Sequence, residues 1–378
     1  MFEGVEPFTL QVPQAEIDDL RQRLARTRWP EAETVPDWSQ GAKLARVQAL
    51  CAYWRDQYDW RRCEAQLNAL GQYRTRIDGI DIHFLHVRSP EPDALPMIMT
   101  HGWPGSVIEF LKTVGPLTDP AAHGGSAADA FHLVLPSMPG YGFSGKPEGT
   151  GWTLARIAQA WISLMRRLGY RRYVAQGGDW GAMVTTEIAL ANPPECAAVH
   201  LNQPVAIPGD LTDATPQEQA ALARYQRFRT DGSGYSAVQG TRPQTLGYGL
   251  TDSPAGQAAW IYEKFQAWAD CGGEPETLFS MDEMLDNIML YWLPGTAASS
   301  ARLYWESMRG DFTQRPVDMP VGVSIFPKEL IPASRRWADG LYRRIIHWNE
   351  LDRGGHFAAF EQPRLFVEEL RACFRTLR

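Results

Sequence analysis

The sequence predicts an α/β fold in which helices cover both faces of a mainly parallel sheet. From residue 73 onward, short apolar runs with the period of a strand alternate with runs that have the period of a helix. Several strand-like runs end in segments rich in Gly or His, as expected at the carboxyl edge of a parallel sheet, where functional groups gather. The alternation stops between residues 204 and 316 and then resumes. A helical lid inserted before the last two strands explains this interruption.

Composition and charge narrow the class of protein. Of the 378 residues, 44% are hydrophobic and 21% are charged, which is ordinary for a globular protein with room for a few domains. The formal net charge of −7, without a basic stripe, argues against nucleic acid as a partner. The five Cys are odd in number and form no C-x-x-C pair. We therefore expect reduced thiols, with neither a disulfide framework nor a metal site.

The expected location is the cytoplasm. The segment from Met1 to Leu10 has neither the basic leader nor the apolar stretch of a signal peptide. No apolar run approaches the roughly 18 residues that a membrane-spanning helix requires. We therefore expect a soluble, cytoplasmic protein that does not insert into a membrane.

The N-terminal segment is expected to be a helical arm without strands. Ile17, Leu20 and Leu24 repeat at helical spacing, and such a narrow apolar stripe must pack on the rest of the chain. The arm also offers a surface for a homodimer. The expected organisation is an arm (1–72), the first part of an α/β core (73–203), a lid (204–316) and the second part of the core (317–378).

Within the core, the period of the apolar residues indicates the elements. Residues 74–77 and 80–87 flank Asp78-Gly79, a pair typical of a tight hairpin turn. Further strands are predicted at 96–100, 131–135, 173–175, 197–201, 321–326 and 345–348. Helices are predicted at 107–114, from Thr153 to Gly169, at 182–191 and at the C-terminus.

One junction between strand and helix stands out, at Gln176-Gly177-Gly178-Asp179-Trp180-Gly181. Small residues two positions before and after a central nucleophile are typical of the nucleophile elbow of the α/β-hydrolase fold. Its turn is so tight that Cβ atoms at those positions would collide. The usual central residue is Ser, and here it is Asp179. The alternative is that Asp179 only caps the following helix.

A carboxylate at the elbow predicts a different chemistry from that of Ser. With an ordinary pKa near ~4, Asp is anionic at neutral pH and can attack a saturated carbon directly, leaving an ester. Hydrolysis of that ester needs a water activated by a His, which a second carboxylate orients. Asp179, Glu329 and His356 follow the order of nucleophile, acid and His found in such hydrolases. The alternatives are a structural His and a solvated Glu, and the rival acids are Asp318, Glu350 and Asp352.

Ester chemistry also needs two backbone N–H groups that hold an oxyanion. One belongs to the residue after the nucleophile, Trp180, and the other to the loop after an earlier strand, where Trp103 is the natural donor. The alternative for that loop is a simple turn. The side chains of Trp103, Trp180 and Phe357 are expected to line an apolar substrate pocket.

An epoxide substrate would need a proton donor for the ring oxygen. A phenol, with an ordinary pKa near ~10, stays protonated at neutral pH and can donate. Spacing alone does not select the donors among the tyrosines of the lid, which are Tyr225, Tyr235, Tyr248, Tyr262, Tyr291 and Tyr304.

Three motifs resemble those of the microsomal-type epoxide hydrolases, a family that also includes the juvenile hormone epoxide hydrolases. His101 to Ser106 matches the H-G-W-P-G-S loop, Gly177 to Gly181 matches G-G-D-W-G, and Gly354 to Glu361 matches a more specific motif. The resemblance covers nearly the whole chain, including an arm similar to the family's N-terminal meander. The membrane-anchoring segment of the mammalian members is missing, which favours a cytosolic enzyme.

This resemblance implies Asp179 as nucleophile, His356 as base and Glu329 as acid. It also selects Tyr235 and Tyr304 as the two donors of the lid. The expected reaction converts an apolar epoxide, aryl or alkyl, into a vicinal diol without a metal or an organic cofactor.

Two alternatives differ in function. A haloalkane dehalogenase also uses an Asp elbow, often followed by Trp, but holds a halide with ring N–H groups, and the paired lid tyrosines favour the epoxide. A hydrolase-like protein that only binds a ligand has no reason to keep Asp179, Glu329 and His356 together.

Overall fold

The computed structural model describes residues 4–208, 210–308 and 315–378. The strands are β1 (Val5–Pro7), β2 (Gln72–Ile77), β3 (Ile80–Val87), β4 (Leu95–Thr100), β5 (Phe131–Pro136), β6 (Tyr173–Gly177), β7 (Cys196–Leu201), β8 (Val321–Ile325) and β9 (Ile345–Glu350).

Helices of the arm and the core precede β7. They are α1 (Gln14–Ala25), α2 (Leu44–Asp56), α3 (Trp60–Ala69), α4 (Leu111–Thr118), α5 (Leu154–Arg167) and α6 (Trp180–Ala191). Those of the lid and the C-terminal part are α7 (Pro216–Arg227), α8 (Gly234–Thr241), α9 (Pro243–Asp252), α10 (Pro254–Trp268), α11 (Met281–Trp292), α12 (Ala297–Ser307), α13 (Arg335–Asp339), α14 (Ala358–Glu361) and α15 (Pro363–Phe374). Short 3₁₀ turns lie at Val107–Phe110, Ala121–His123, Ala127–Asp129, Pro275–Thr277 and Arg375–Leu377, and a π-helical turn at Phe228–Gly232.

All of these strands belong to one sheet of the described residues, in the order β1-β2-β3-β5-β4-β6-β7-β8-β9. The pairs along β1, β2, β3 and β5 are antiparallel, and those from β5 to β9 are parallel. Thr100 at the end of β4 pairs with Gly177 at the end of β6, which in turn pairs with Leu201. The loops that follow β4 and β6 therefore leave the sheet side by side.

The central strands are mostly apolar because helices cover both faces of a parallel sheet. Met97, Ile98 and Met99 of β4 are completely buried. Helices α5 and α6 pack on one another, as do α4 and α15. The predicted α/β-hydrolase fold, with a mainly parallel sheet and an insertion before the last two strands, is confirmed.

Most strand boundaries differ from the predictions by one or two residues, and three differences concern the kind or start of an element. The prediction of an arm without strands is wrong, because β1 pairs antiparallel with β2; three residues are too few to reveal a period. Helix α6 begins at Trp180, two residues before the predicted start. The segment predicted as one helix from residue 107 begins with a 3₁₀ turn and continues as α4.

Helices α7 to α12 lie between β7 and β8, within the segment predicted as the lid. The arm packs on two of them, since α2 contacts both α10 and α11. Polar contacts reinforce this packing: Tyr58 donates a 2.7 Å hydrogen bond to Asp286, and Arg62 forms a 2.7 Å ion pair with the same carboxylate. Residues 1–3 of the predicted arm and 209 and 309–314 of the predicted lid lie outside the described residues.

Within the described residues, none of the helices combines the length and the apolar character that crossing a membrane requires.

Candidate active site

Asp179 lies at the sharp bend between β6 and α6. Its φ of 50° and ψ of −131° put a non-glycine residue in a strained region of backbone space, as is common at functional sites. Its side chain makes no capping hydrogen bond to α6, so the alternative of a simple helix cap is wrong. A Cβ on Gly177 would overlap the carbonyl of Gly181, and a Cβ on Gly181 would overlap the carbonyl of Thr100. The glycines on either side are therefore required by close packing.

His356 stands between two carboxylates. Its Nε2 lies 3.4 Å from Oδ2 of Asp179, and its Nδ1 lies 2.9 Å from Oε1 of Glu329. All three side chains come from loops at the carboxyl edge of the sheet, after β6, β8 and β9. The Glu329 carboxylate is itself held by the backbone N–H of Leu330 at 2.6 Å and by the amide of Gln203 at 3.1 Å. This arrangement orients the imidazole toward Asp179.

The rival acids lie elsewhere. Asp318 pairs with Arg343 at 2.8 Å, and Glu350 accepts a hydrogen bond from the indole of Trp348 at 3.1 Å. Asp352 is exposed. The carboxylate that contacts His356 from the acid loop is that of Glu329.

Two opposing effects set the protonation of His356. Burial by itself lowers the pKa of an imidazole, but the negative charges of Glu329 and Asp179 and the hydrogen bonds to both outweigh burial. The pKa of His356 is therefore held well above its usual value. The site therefore favours the protonated form of the imidazole.

The loop after β4 contacts Asp179 through its backbone. The N–H of Trp103 donates a 2.8 Å hydrogen bond to Oδ1 of Asp179. A Cβ on Gly102 would overlap the Asp179 carboxylate, so the approach of this loop depends on glycine. Trp180 directly follows Asp179 and opens α6, which places its N–H among the unpaired donors of a helix N-terminus.

Tyr235 on α8 and Tyr304 on α12 lie next to one another above these tryptophans. Their rings are 5.8 Å apart at 80°. Tyr235 stacks on Trp103 at 5.0 Å, and Tyr304 meets Trp180 edge to face at 4.8 Å. The Tyr304 hydroxyl is buried without a hydrogen-bond partner among the described residues. The O–H group of Tyr304 can therefore donate a hydrogen bond to a bound molecule.

Burial, with the nearby charge of Asp179 adding to it, raises the pKa of Tyr235 and holds the pKa of Tyr304 well above the usual value. Both phenols are therefore protonated across the neutral range. The other lid tyrosines are engaged or remote. Tyr262 donates to Glu276, Tyr291 donates to the carbonyl of Gly105, Tyr225 stacks on Phe228, and Tyr248 is 72% exposed.

Phe357 was predicted to line the substrate pocket. It is 1% exposed, packs on Phe265 at 4.8 Å and meets His356 edge to face at 5.2 Å. Its main contacts are thus with the core and the base. Trp268 of α10, which the sequence did not single out, also meets His356, at 4.9 Å. In the sequence, the only feature that could have suggested Trp268 is its position in a predicted helix of the lid.

The sequence analysis also missed Glu109. Its carboxyl borders a cavity of about 20 Å³ that Asp179 and His356 also line. Burial raises the pKa of Glu109 to about 8, with the charge of His356 opposing and that of Asp179 reinforcing the shift. The feature of the sequence that could have indicated Glu109 is its position, three residues after the His101 to Ser106 loop.

Comparison with known proteins agrees with this geometry. A family model described as "Epoxide hydrolase N terminus" matches residues 5–110, and one described as "alpha/beta hydrolase fold" matches residues 96–255. A protein of Stigmatella aurantiaca named "Putative epoxide hydrolase" is 62% identical over 99% of this chain and 86% of its own length. Epoxide hydrolase 1 of Sus scrofa is 36% identical over 98% of this chain and 88% of its own length.

Solved structures extend the similarity to the fold. The juvenile hormone epoxide hydrolase of the silkworm Bombyx mori superposes with a TM-score of 0.91 at 29% identity, covering 99% of this chain and 95% of that one. The epoxide hydrolase of Aspergillus niger superposes with a TM-score of 0.88 at 32% identity, covering 99% and 96%.

Proposed function

The chain belongs to the microsomal-type epoxide hydrolase family, so it is a hydrolase that opens epoxides, and we propose that it does so through an ester on Asp179. The observation that carries the proposal is the contact of one imidazole with both Asp179 and Glu329, below two protonated lid phenols.

In the first step a carboxylate oxygen of Asp179 attacks one carbon of the epoxide. A new C–O bond forms, the ring C–O bond breaks, and its electron pair moves to the ring oxygen. Tyr235 and Tyr304 donate hydrogen bonds to that oxygen, and one of the two phenols transfers its proton to it and becomes a phenolate. The product is a hydroxyalkyl ester on Asp179.

In the second step His356 removes a proton from a water that attacks the ester carbonyl. Ester formation removes the charge of Asp179, which is one of the two charges that raise the pKa of His356. The imidazole therefore loses its proton more readily once the ester exists. That proton returns to the lid phenolate left by ring opening, which frees His356 to accept a proton from the water. The N–H groups of Trp103 and Trp180 hold the oxyanion, and collapse of the tetrahedral intermediate expels the diol oxygen, which takes the proton from His356.

The aromatic surroundings of the nucleophile favour an apolar epoxide. Trp103, Trp180, Tyr235 and Tyr304 form a continuous set of ring contacts around Asp179. Aryl or alkyl groups would replace water at these faces on binding.

A single-turnover experiment in heavy-oxygen water tests the ester. With enzyme in excess, the hydrolytic oxygen should enter the Asp179 carboxylate in the first cycle, and the diol should be unlabelled. Label that appears in the first-cycle diol, with none in the peptide containing Asp179, would mean that water opens the epoxide directly.

The haloalkane dehalogenase alternative has one observation in its favour. The indole Nε1 of Trp180 is buried without a hydrogen-bond partner among the described residues, and such a group can hold a halide. The Tyr304 hydroxyl beside it and the family membership support the epoxide instead. Halide release from chloro- and bromoalkanes, measured beside diol formation, separates the two activities.

The cytoplasmic location, the homodimer and the four-segment organisation also stand as proposals. Cell fractionation tests the first, light scattering of the purified chain tests the second, and limited proteolysis tests the third. Helix α2 of the arm already packs on the lid of its own chain, so a dimer would use the outer surface of the arm.

A further inference from the structure

A small cavity lies directly beside the nucleophile. Its volume is about 20 Å³, and Gly102, Glu109, Asp179, His356 and Phe357 are among the residues that line it. A cavity needs on the order of 10–15 Å³, and polar partners, to hold one water. This cavity therefore matches a single water molecule within reach of both the nucleophile and the base.

The carboxyl of Glu109 also lines this cavity, and it has no role in the two steps proposed above. It lies in the 3₁₀ turn Val107–Phe110, which follows the loop that contacts Asp179. A Cβ on Gly105 would overlap Oε1 of Glu109, so the missing side chain at position 105 makes the space that the carboxyl occupies. Its backbone hydrogen bond involves Ser106, which leaves acceptor capacity facing the cavity.

We propose that Glu109 holds the water that hydrolyses the Asp179 ester, an inference that rests on the proposed function. The water donates one hydrogen bond to Glu109 and gives its other proton to Nε2 of His356. Its oxygen forms the new bond to the ester carbonyl carbon, and the bond from that carbon to the diol oxygen breaks. Glu109 neither gains nor loses a covalent bond, and it acts as a positioning residue for the water.

The test separates the two chemical steps. In the Glu109→Leu variant, which removes both acceptor oxygens, single-turnover rapid quench with a styrene-type epoxide should show ester formation within about twofold of wild type. Hydrolysis of the ester should be slower by about 10- to 100-fold, as expected for a misplaced reactant. Intact-protein mass spectrometry should then detect accumulated ester.

A second variant tests the same water but keeps the Glu109 carboxyl. Gly105→Ala places a methyl group against Glu109 and should slow hydrolysis in the same direction. Glu361 provides the structural comparison. It is also buried, but its carboxylate accepts backbone hydrogen bonds from Gly355, Phe357 and Asp270, so Glu361→Gln should lower Tm and slow both steps.

Ester hydrolysis at the wild-type rate in Glu109→Leu would overturn the inference and leave the proposed function standing. Equal slowing of both steps with a lower Tm would also overturn it, because that pattern indicates a structural role. If no ester forms in any variant, including one that lacks His356, the proposed function itself fails.

A separate observation concerns Lys264 of α10. Its side chain is 6% exposed, and its ammonium lies 4.6 Å from the ring centroid of Tyr235 and 5.6 Å from that of Trp268. A buried ammonium is costly unless it is paired, and here the partners are Glu263 and these rings. The cation is thus held against the face of one of the two phenols of the lid.

We infer that Lys264 makes Tyr235 a better donor for ring opening. A positive charge over the ring stabilises the negative charge that grows on the phenol oxygen as its proton moves to the epoxide oxygen. Lys264 acts through Tyr235 without touching the substrate, so it is a positioning residue for the first step only.

The Lys264→Met variant keeps the length of the side chain and removes its charge. Ester formation should slow by about 5- to 20-fold, within the range expected for a desolvated cation–π contact, and ester hydrolysis should not change. In a Tyr235→Phe background the same substitution should have no further effect. Lys264→Arg should restore most of the rate.

Lys112→Met is a matched control, because the Lys112 ammonium lies 4.9 Å from the ring centroid of Phe360 and pairs with Glu283. It should leave ester formation unchanged. Equal losses from Lys264→Met with and without Tyr235, or losses shared by both steps, would overturn the inference.

Discussion

Nε2 of His356 lies 3.4 Å from Oδ2 of Asp179. This one distance couples the two steps of the proposed reaction, because the charge that attacks the epoxide is also a charge that keeps the base protonated. While Asp179 is free the imidazole is held as a cation, and once Asp179 is esterified the imidazole can accept a proton. Whether Asp179 is free or esterified thus determines whether His356 can act as a base.

The first prediction follows from that coupling. His356→Gln should leave ring opening nearly intact, because a carboxylate needs no base to attack carbon, and should slow ester hydrolysis by about 10²-fold or more. Mass spectrometry after exposure to an epoxide should find one covalent adduct per chain on the Asp179 peptide. An unmodified chain would contradict the ester mechanism, and Asp179→Asn is the control that cannot form it.

The second prediction concerns the two phenols. Tyr235→Phe and Tyr304→Phe should each slow ester formation by about 10- to 100-fold, because each removes one preorganised donor to the opening oxygen. The double variant should lose far more, since no donor remains. Stopped-flow tryptophan fluorescence can follow the step, and Tyr248→Phe, at an exposed ring, is the matched control. A double variant with near wild-type rates would exclude the phenols as donors.

The third prediction links His356 to stability. Its pKa is raised in the folded chain, so it contributes stability that is fully present below its unfolded pKa of about 6.5. That contribution is lost as the pH rises through the higher folded pKa. The difference in Tm between wild type and His356→Gln should therefore shrink as the pH rises above about 6.5. A difference that grows with pH would mean that the imidazole is neutral in the resting site.

The fourth prediction tests the attachment of the arm to the lid. Asp286 is 4% exposed in its side chain and pairs with Arg62, which is 42% exposed. Arg62→Ala would leave a buried carboxylate with only neutral partners, Tyr58 and the Cys63 thiol, at a cost of about 1–3 kcal/mol in the free energy of unfolding. This is below the roughly 3–5 kcal/mol of a fully buried pair because water reaches Arg62.

Urea denaturation measures that change. Arg55→Ala is the control, since Arg55 pairs with Asp56 on the surface, where water screens the pair, and its loss should leave the free energy of unfolding almost unchanged. Equal effects of the two substitutions would show that the Arg62 contact does not hold the arm.

Local patterns in the sequence were sufficient for the elements and for the residues with the most constrained surroundings. The elbow was identifiable because the glycines around Asp179 form a fixed local pattern, although the carbonyl that requires Gly181 belongs to Thr100 of a neighbouring strand. Chain order singled out Glu329 and His356, because the loops after successive parallel strands meet at one edge. The rival acid Asp318 could be set aside only by its pairing with Arg343 in the folded chain.

Only the tertiary structure decided which residues from distant parts of the sequence lie beside the site residues. Glu109 and Lys264 are ordinary charged residues in helical segments, and nothing in their spacing separates them from solvated charges. Only folding brings Glu109 to a cavity beside Asp179 and Lys264 to the ring of Tyr235. The sequence by itself determined the fold and singled out Asp179 at the elbow, since these depend on periodicity and on a local pattern of glycines. The surroundings that tune the site depend on burial, which exists only once distant segments pack together.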